Sequence, residues 1–167
     1  MARLRQDNSI ASKALQLTIL TAARPGEACG ARWDEVEADL WTVPAARMKR
    51  NRSHRVPLSD AARALLASVS RVNDVVFPSA KAAHITTPTM IESLRNLGRT
   101  ETVHGFRSAF STWASERTKH PDHVVELALA HTVGGAVERA YRRSDLFEAR
   151  RVLMEDWARY CASEAPA

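Results

Sequence analysis

Residues 103–116 read VHGFRSAFSTWASE, and the spacing of their apolar members decides how the chain is built. Phe106, Phe110, Trp113 and Ala114 fall at i, i+4, i+7 and i+8, positions that share one face of a 3.6-residue helix. The pattern predicts an amphipathic helix over 104–117 whose aromatic face is turned to a core. His104 and Arg107 stand three residues apart in its first turn, on one flank beside that face. Backbone N–H groups of a first turn lack intrahelical partners, so an anion is favoured there. Taken alone, a His and an Arg one turn apart more often solvate a surface than bind anything.

Toward the N-terminus, Ile10, Ala14, Leu17, Ile19 and Leu20 have near-helical spacing, which predicts a buried helix over 9–22. Arg24-Pro25-Gly26 breaks it, and Pro25 suits the first turn of a second, shorter helix with Trp33 packed beneath. LWTVP (40–44) and RVPL (55–58) read as short strands of a small antiparallel sheet. Ser59 can cap a helix to about residue 69, and Thr87-Pro88 opens another that Gly98 closes. Beyond the opening stretch, Pro121-Asp122 starts a helix that reaches His131. Gly134-Gly135 then breaks the chain before a short helix carrying Tyr141. Leu146, Ala149, Leu153, Trp157 and Tyr160 form the stripe of a final helix. The expected fold class is mostly α (α+β), helical with one small antiparallel sheet, and no repeat or low-complexity tract interrupts it.

A length of 167 residues, 45% hydrophobic, suits a single domain over 1–167 with a real core. No apolar run approaches the roughly 18 residues of a membrane span, and MARLRQDNSI lacks the apolar stretch of a secretory signal, so a cytoplasmic protein is expected. Cys29 and Cys161 are far apart and belong to no zinc-like cluster, which predicts reduced thiols. Lys and Arg number 24 against 19 Asp and Glu, a net charge of +5 that favours an acidic partner such as nucleic acid. The charge concentrates in Arg47, Lys49, Arg50, Arg52 and Arg55, with His54 among them. That segment reads equally as a phosphate-binding hairpin and as a solvated one.

Other polar residues are ambiguous singly. Arg24 follows a buried helix at a sharp turn, where a charge needs a partner, and Glu27 can supply it. The two therefore read either as a functional arginine with its support or as a structural pair. His131 follows the apolar ELALA and precedes a glycine turn, where a histidine is more often a helix cap than a catalyst. A lone tyrosine such as Tyr141 is usually core or interface.

Their order carries more than any one of them. The chain supplies TAARPGEA, MKRNRSHRVPLS, HGFRSAFSTWASE, LAH and, ten residues after His131, the tyrosine of AYRRSD. From about Lys13 onward this resembles the tyrosine recombinases, in particular the integrases of bacteriophages and integrated elements; RPGEA, VPLS and HGFRS are like that subgroup too. The resemblance implies that Arg24 is the first catalytic arginine and Glu27 its supporting carboxylate. It makes Lys49 the catalytic lysine, His104 and Arg107 the H-x-x-R pair, His131 the later histidine and Tyr141 the nucleophile. Arg50, Arg52 and Arg55 become DNA contacts. Ala22 departs from the family, which often has glycine there. The resemblance also makes this chain the catalytic domain of proteins that carry N-terminal core-binding and arm-binding domains, which are expected to be absent here.

The implied chemistry suits these residue types. Attack of the Tyr141 oxygen on a phosphodiester adds charge to its non-bridging oxygens, which two guanidiniums can clamp. An unperturbed tyrosine titrates near 10, so the phenol needs help to lose its proton, with His104 the first choice, while His131 bonds a phosphate oxygen. Lys49 protonates the leaving 5′-oxygen. The resulting 3′-phosphotyrosine conserves bond energy, so strands rejoin without a cofactor or metal. The implied partners are double-stranded DNA and other protomers in a synaptic tetramer. Three alternatives remain: a type IB topoisomerase, a decayed prophage remnant that only binds DNA, and a metal nuclease.

Overall fold

The computed structural model describes residues 1–80, 82–132 and 144–163, so Tyr141 and the Gly134-Gly135 break lie outside the described residues. Among the described residues the helices are α1 (Ala2–Gln6), α2 (Ile10–Thr21), α3 (Pro25–Cys29), α4 (Asp60–Ala67), α5 (Thr87–Asn96), α6 (Gly105–Arg117), α7 (Asp122–Ala128) and α8 (Phe147–Ala162). Between α3 and α4 lie β1 (Val36–Glu37), β2 (Leu40–Val43) and β3 (His54–Pro57). The fold is mostly helical with one small antiparallel sheet, as the periodicity predicts. None of the described helices is long and apolar enough to cross a membrane.

Helix α2 is the axis. Ser9 Oγ accepts the N–H of Ser12 at 3.2 Å and starts it. From Ala14 to Leu20 every side chain is buried, and α1, α3, α4, α5 and α8 all pack against it. A helix enclosed on every side must satisfy its polar groups internally. Gln16 donates to the Leu4 carbonyl and Thr18 to that of Ala14 (2.9 and 2.8 Å), while Trp157 of α8 donates to the Ile19 carbonyl at 2.7 Å.

The sheet runs β1-β2-β3, all antiparallel, with Trp41 opposite Val56 and Val43 opposite His54. Trp41, Val43 and Val56 face the core. The two-residue β1 is too short to leave a periodic signal. Trp33 lies half-buried at the edge of the core in a 3-10 turn, with the Arg71 guanidinium 4.5 Å over its ring.

Phe110, Trp113 and Ala114 of α6 are buried as their spacing requires, and the Phe110 ring meets Trp157 edge-on at 5.4 Å. The α8 stripe is rotated from the expected one. Ala149 and Tyr160 are exposed, and the inward face is Arg150, Leu153, Met154, Trp157 and Ala158. Those five positions obey helical spacing, but one of them is an arginine, which a count of apolar residues excludes. Both cysteines are free thiols; burial pushes Cys29 up to about 11 and Cys161 to about 12.

Two helices end in the same left-handed closure. At the end of α5 the N–H groups of Gly98 and Arg99 bond to the carbonyls of Arg95 and Leu94, with Gly98 at φ 71°. At the end of α7, Ala130 and His131 bond likewise to Leu127 and Glu126, but Ala130 takes the left-handed position at φ 53°. An L-residue with a Cβ pays for that conformation where glycine does not. Ala130→Gly is therefore expected to raise unfolding stability by about 1 kcal/mol, read as a higher urea midpoint at unchanged slope. Ala22 is also left-handed, at φ 49°, but its methyl is buried, so Ala22→Gly should give little net change.

Candidate active site

Arg107 turns inward from the first turn of α6. Its Nη1 donates to the Ala22 carbonyl and its Nη2 to the Leu129 carbonyl at 2.7 Å. Ala22 and Leu129 are the C-cap residues of α2 and α7, where helical carbonyls run out of partners. One buried guanidinium thus closes two helices, and its remaining N–H groups are free of that task. Burial pushes Arg107 down to about 10, and the positive charge of Arg24 acts in the same direction; Glu27 and Glu126 oppose it. It stays charged at neutral pH.

Arg24 is the N-cap of α3, with Pro25 in the first turn. The buried Glu27 carboxylate accepts the Arg24 backbone N–H at 2.9 Å through one oxygen and its Nη1 at 2.8 Å through the other. The two readings of this pair are compatible: Glu27 fixes the arginine, while the Arg24 side chain keeps 26% of its surface open. Two guanidiniums near enough to repel are stable only with anionic neighbours, and a phosphate completes such a set.

His131 follows Ala130 in the left-handed closure. Its backbone N–H caps α7, and its Nδ1 stands 2.8 Å from Glu126 Oε2, leaving the imidazole 45% exposed. The cap is therefore made by the main chain and the side chain is left for other work. His104 is exposed at the N-cap of α6. Contrary to the sequence expectation, it does not share a flank with Arg107, which is buried, and the first-turn N–H groups are not all free. Gly105 donates to Thr102 Oγ1 and Arg107 to the His104 carbonyl.

The basic segment divides. Lys49, Arg50 and Arg52 are exposed, and Lys49 has no hydrogen-bond or ion-pair partner among the described residues. Arg47 turns to Glu35 instead. Arg55 on β3 donates to Asp145 Oδ2 at 3.1 Å and lies 4.4 Å over the Phe147 ring, held by the start of α8. A cleft between the β2–β3 loop and the end of α7 is lined by Arg50, Arg52, His54 and His131, with Asp145 and Arg150 at its far side.

Two residues of this region escape sequence reasoning as site members. Arg150, buried in α8, donates to the carbonyls of Asp145 and Arg55 and to the Asp145 carboxylate (2.8, 2.5 and 2.7 Å). It ties Asp145, four residues after Tyr141 in the sequence, to β3. Helical register with Leu153, Met154 and Trp157 is the signal that marks it. His54 sits on β3 with Nε2 3.3 Å from the Ala128 carbonyl. Burial, then the charge of Arg150, pushes its imidazole down to about 4, with Arg107 adding to them and Glu27 and the Ala128 carbonyl opposing. His54 is thus a neutral donor at the end of α7, and no local pattern announces it.

The structure brings Arg24, Glu27, Arg107 and His131 together around the ends of α2 and α7. Lys49 and His104 lie on exposed segments, and Tyr141 lies outside the described residues. Because the folded-state value of His54 is depressed, the unfolded chain binds the extra proton between its ordinary value near 6.5 and about 4. Stability should therefore fall as pH drops through that window, by about 3 kcal/mol at most. His54→Gln, which keeps a donor for Ala128, should flatten this part of the pH profile in urea titrations; an unchanged slope would exclude His54 as its source.

Residues 2–146 match the model of the phage integrase family. Prophage integrase IntA of Escherichia coli (strain K12) is 44% identical over 149 residues, covering 84% of this chain and 36% of that protein. The integrase of Enterobacteria phage P4 is 33% identical over 174 residues, 88% of this chain and 39% of the relative. The chain thus spans well under half the length of these curated relatives. The fold matches that of the integrase from mycobacterium phage Brujita with a TM-score of 0.72, over 92% of this chain and 54% of that one, at 19% identity. A sequence that lies inside that model for most of its length, with paired arginines at its helix ends, belongs to the phage integrase family.

Proposed function

We propose that this chain is the catalytic part of a site-specific DNA recombinase, which cleaves and rejoins strands through a 3′-phosphotyrosine on Tyr141. The observation that carries this is the pairing of Arg24 and Arg107, two guanidiniums pinned by Glu27 and by two helix-end carbonyls beside an exposed basic loop. Their fixed placement means that little reorganisation is needed when charge builds on the scissile phosphate.

In this mechanism the Tyr141 oxygen attacks phosphorus, the bond to the 5′-oxygen breaks, and Lys49 gives that oxygen its proton. Arg24 and Arg107 hold the non-bridging oxygens. His131, as the imidazolium, donates Nδ1–H to Glu126 and Nε2–H to one of them, and the exposed His104 assists the phenol's proton. Arg50 and Arg52 contact the duplex backbone, while Arg55 stays with Asp145. Reversal by a 5′-hydroxyl from another strand, supplied in a synaptic tetramer, completes exchange.

Suicide duplexes drawn from a randomised pool should give a covalent adduct that peptide mass spectrometry places on Tyr141. Tyr141→Phe should abolish it while leaving binding intact, and undiminished trapping in that variant would reject the assignment. Arg24→Ala should slow trapping by orders of magnitude with little loss of stability. Arg107→Ala should do both, losing roughly 2–4 kcal/mol in denaturant titration because two buried carbonyls lose a charged donor. Arg52→Ala should weaken binding and reduce its salt dependence without a comparable loss of cleavage.

A further inference from the structure

Arg47 stands in the most basic stretch of the chain, yet it faces a carboxylate. Glu35 is 10% exposed, and its Oε2 accepts three donors: Arg47 Nη2 at 2.5 Å, the Trp41 indole at 3.1 Å and the Arg32 backbone N–H at 3.1 Å. The donors come from three segments: the approach to β1, strand β2 itself, and the 3-10 turn Ala45–Arg47 that opens the β2–β3 loop. Three donors hold this enclosed carboxylate in place, while Arg47 Nε is buried with no hydrogen-bond partner among the described residues, so the arginine depends on its one bond to Glu35.

The other face of Arg47 lies against Gly30, just past the end of α3. A Cβ on Gly30 would come within 3.2 Å of Arg47 Nη1 and 3.4 Å of its Cδ, so a side chain there would make the arginine give by a few tenths of an ångström. Arg47 is therefore wedged between the sheet and α3, the helix whose N-cap is Arg24. Immediately beyond it, Met48 donates to the Ala45 carbonyl at 2.9 Å and packs against the core. Lys49 to Ser53 are then all exposed, until His54 re-anchors the chain at Ala128.

We propose that Arg47 and Glu35 are positioning residues for Lys49: they anchor the near end of the loop that carries its ammonium to the leaving 5′-oxygen. This rests on the reading of Lys49 as general acid. Lys49 is two residues past the anchor, so its backbone lies within about 7 Å of Arg47. With no partner of its own among the described residues, its placement is inherited from that anchor. A general acid must come within hydrogen-bonding reach of its oxygen, and a displacement of about 1 Å can cost about a hundredfold in rate.

In the step concerned the phosphorus–5′-oxygen bond breaks as Lys49 transfers a proton to that oxygen. When sulfur replaces the bridging 5′-oxygen, a thiolate departs without the proton. The test uses a suicide duplex recovered by covalent capture on the unaltered chain, then remade with 5′-bridging sulfur. The variants are Lys49→Ala, Arg47→Lys, Gly30→Ala, and Glu35→Gln with Arg47→Met, which removes both charges of the pair.

The paired variant should cleave ordinary DNA about 10–100-fold more slowly and sulfur DNA at close to the unaltered rate, the pattern expected of Lys49→Ala. Arg47→Lys and Gly30→Ala, which disturb the same anchor more gently, should show it to a smaller degree. Arg24→Ala should stay slow on both duplexes. An equal loss on both by Arg47→Lys and Gly30→Ala would mean that the anchor supports the whole site, and no loss on either would mean that it is dispensable; each overturns the proposal. If Lys49→Ala forms adducts on sulfur DNA no faster than on ordinary DNA, Lys49 is not the acid and the inference falls with it. Absence of any adduct with the unaltered chain would reject the recombinase reading itself.

Discussion

A single buried guanidinium holds the region together. Arg107 donates to the carbonyl that ends α2 and to the one that ends α7, two acceptors that no helix can satisfy internally. The central helix and the helix before His131 therefore meet at a cation, not at an apolar contact. That choice has a cost, because burial and the nearby Arg24 both work against the charge. The cost is offset by charge-assisted bonds to the two carbonyls and by the neighbouring carboxylates Glu27 and Glu126. What results is a positive centre whose direction is set by main-chain atoms.

The same division of labour recurs around it. Glu27 spends both oxygens on Arg24, Glu126 steadies His131, Glu35 holds Arg47, and Asp145 holds both Arg55 and Arg150. Each carboxylate holds a cationic or ionisable side chain. Lys49, Arg50 and Arg52 are the residues left exposed between these anchored points. Anchored side chains beside an exposed basic loop are consistent with the proposed chemistry, in which most groups stabilise charge in place and one must reach a leaving atom. It also explains why so basic a chain keeps a compact fold: part of its positive charge is neutralised inside.

What the sequence determined by itself was whatever depends on local spacing. Ser59 caps a helix, Gly98 closes α5, and Phe110, Trp113 and Ala114 point inward, because capping and helical periodicity involve residues within a few positions of each other. The ordered motifs around Arg24, Lys49, Arg107 and His131 were equally legible as a string, and that string led to the family. Their physical roles were not. Arg107 looked like a surface partner of His104 because its acceptors lie 85 and 22 residues away along the chain. Arg150 was passed over because a charged residue is ordinarily excluded from a core stripe, and the carbonyls of Arg55 and Asp145 together with the Asp145 carboxylate make its burial tolerable. The same holds for Arg47 and His54, whose partners Glu35 and Ala128 are brought to them by the sheet and by α7. Which basic residues are buried braces and which remain exposed was decided by the tertiary structure alone, since a guanidinium's fate depends on acceptors that only the folded chain brings within reach.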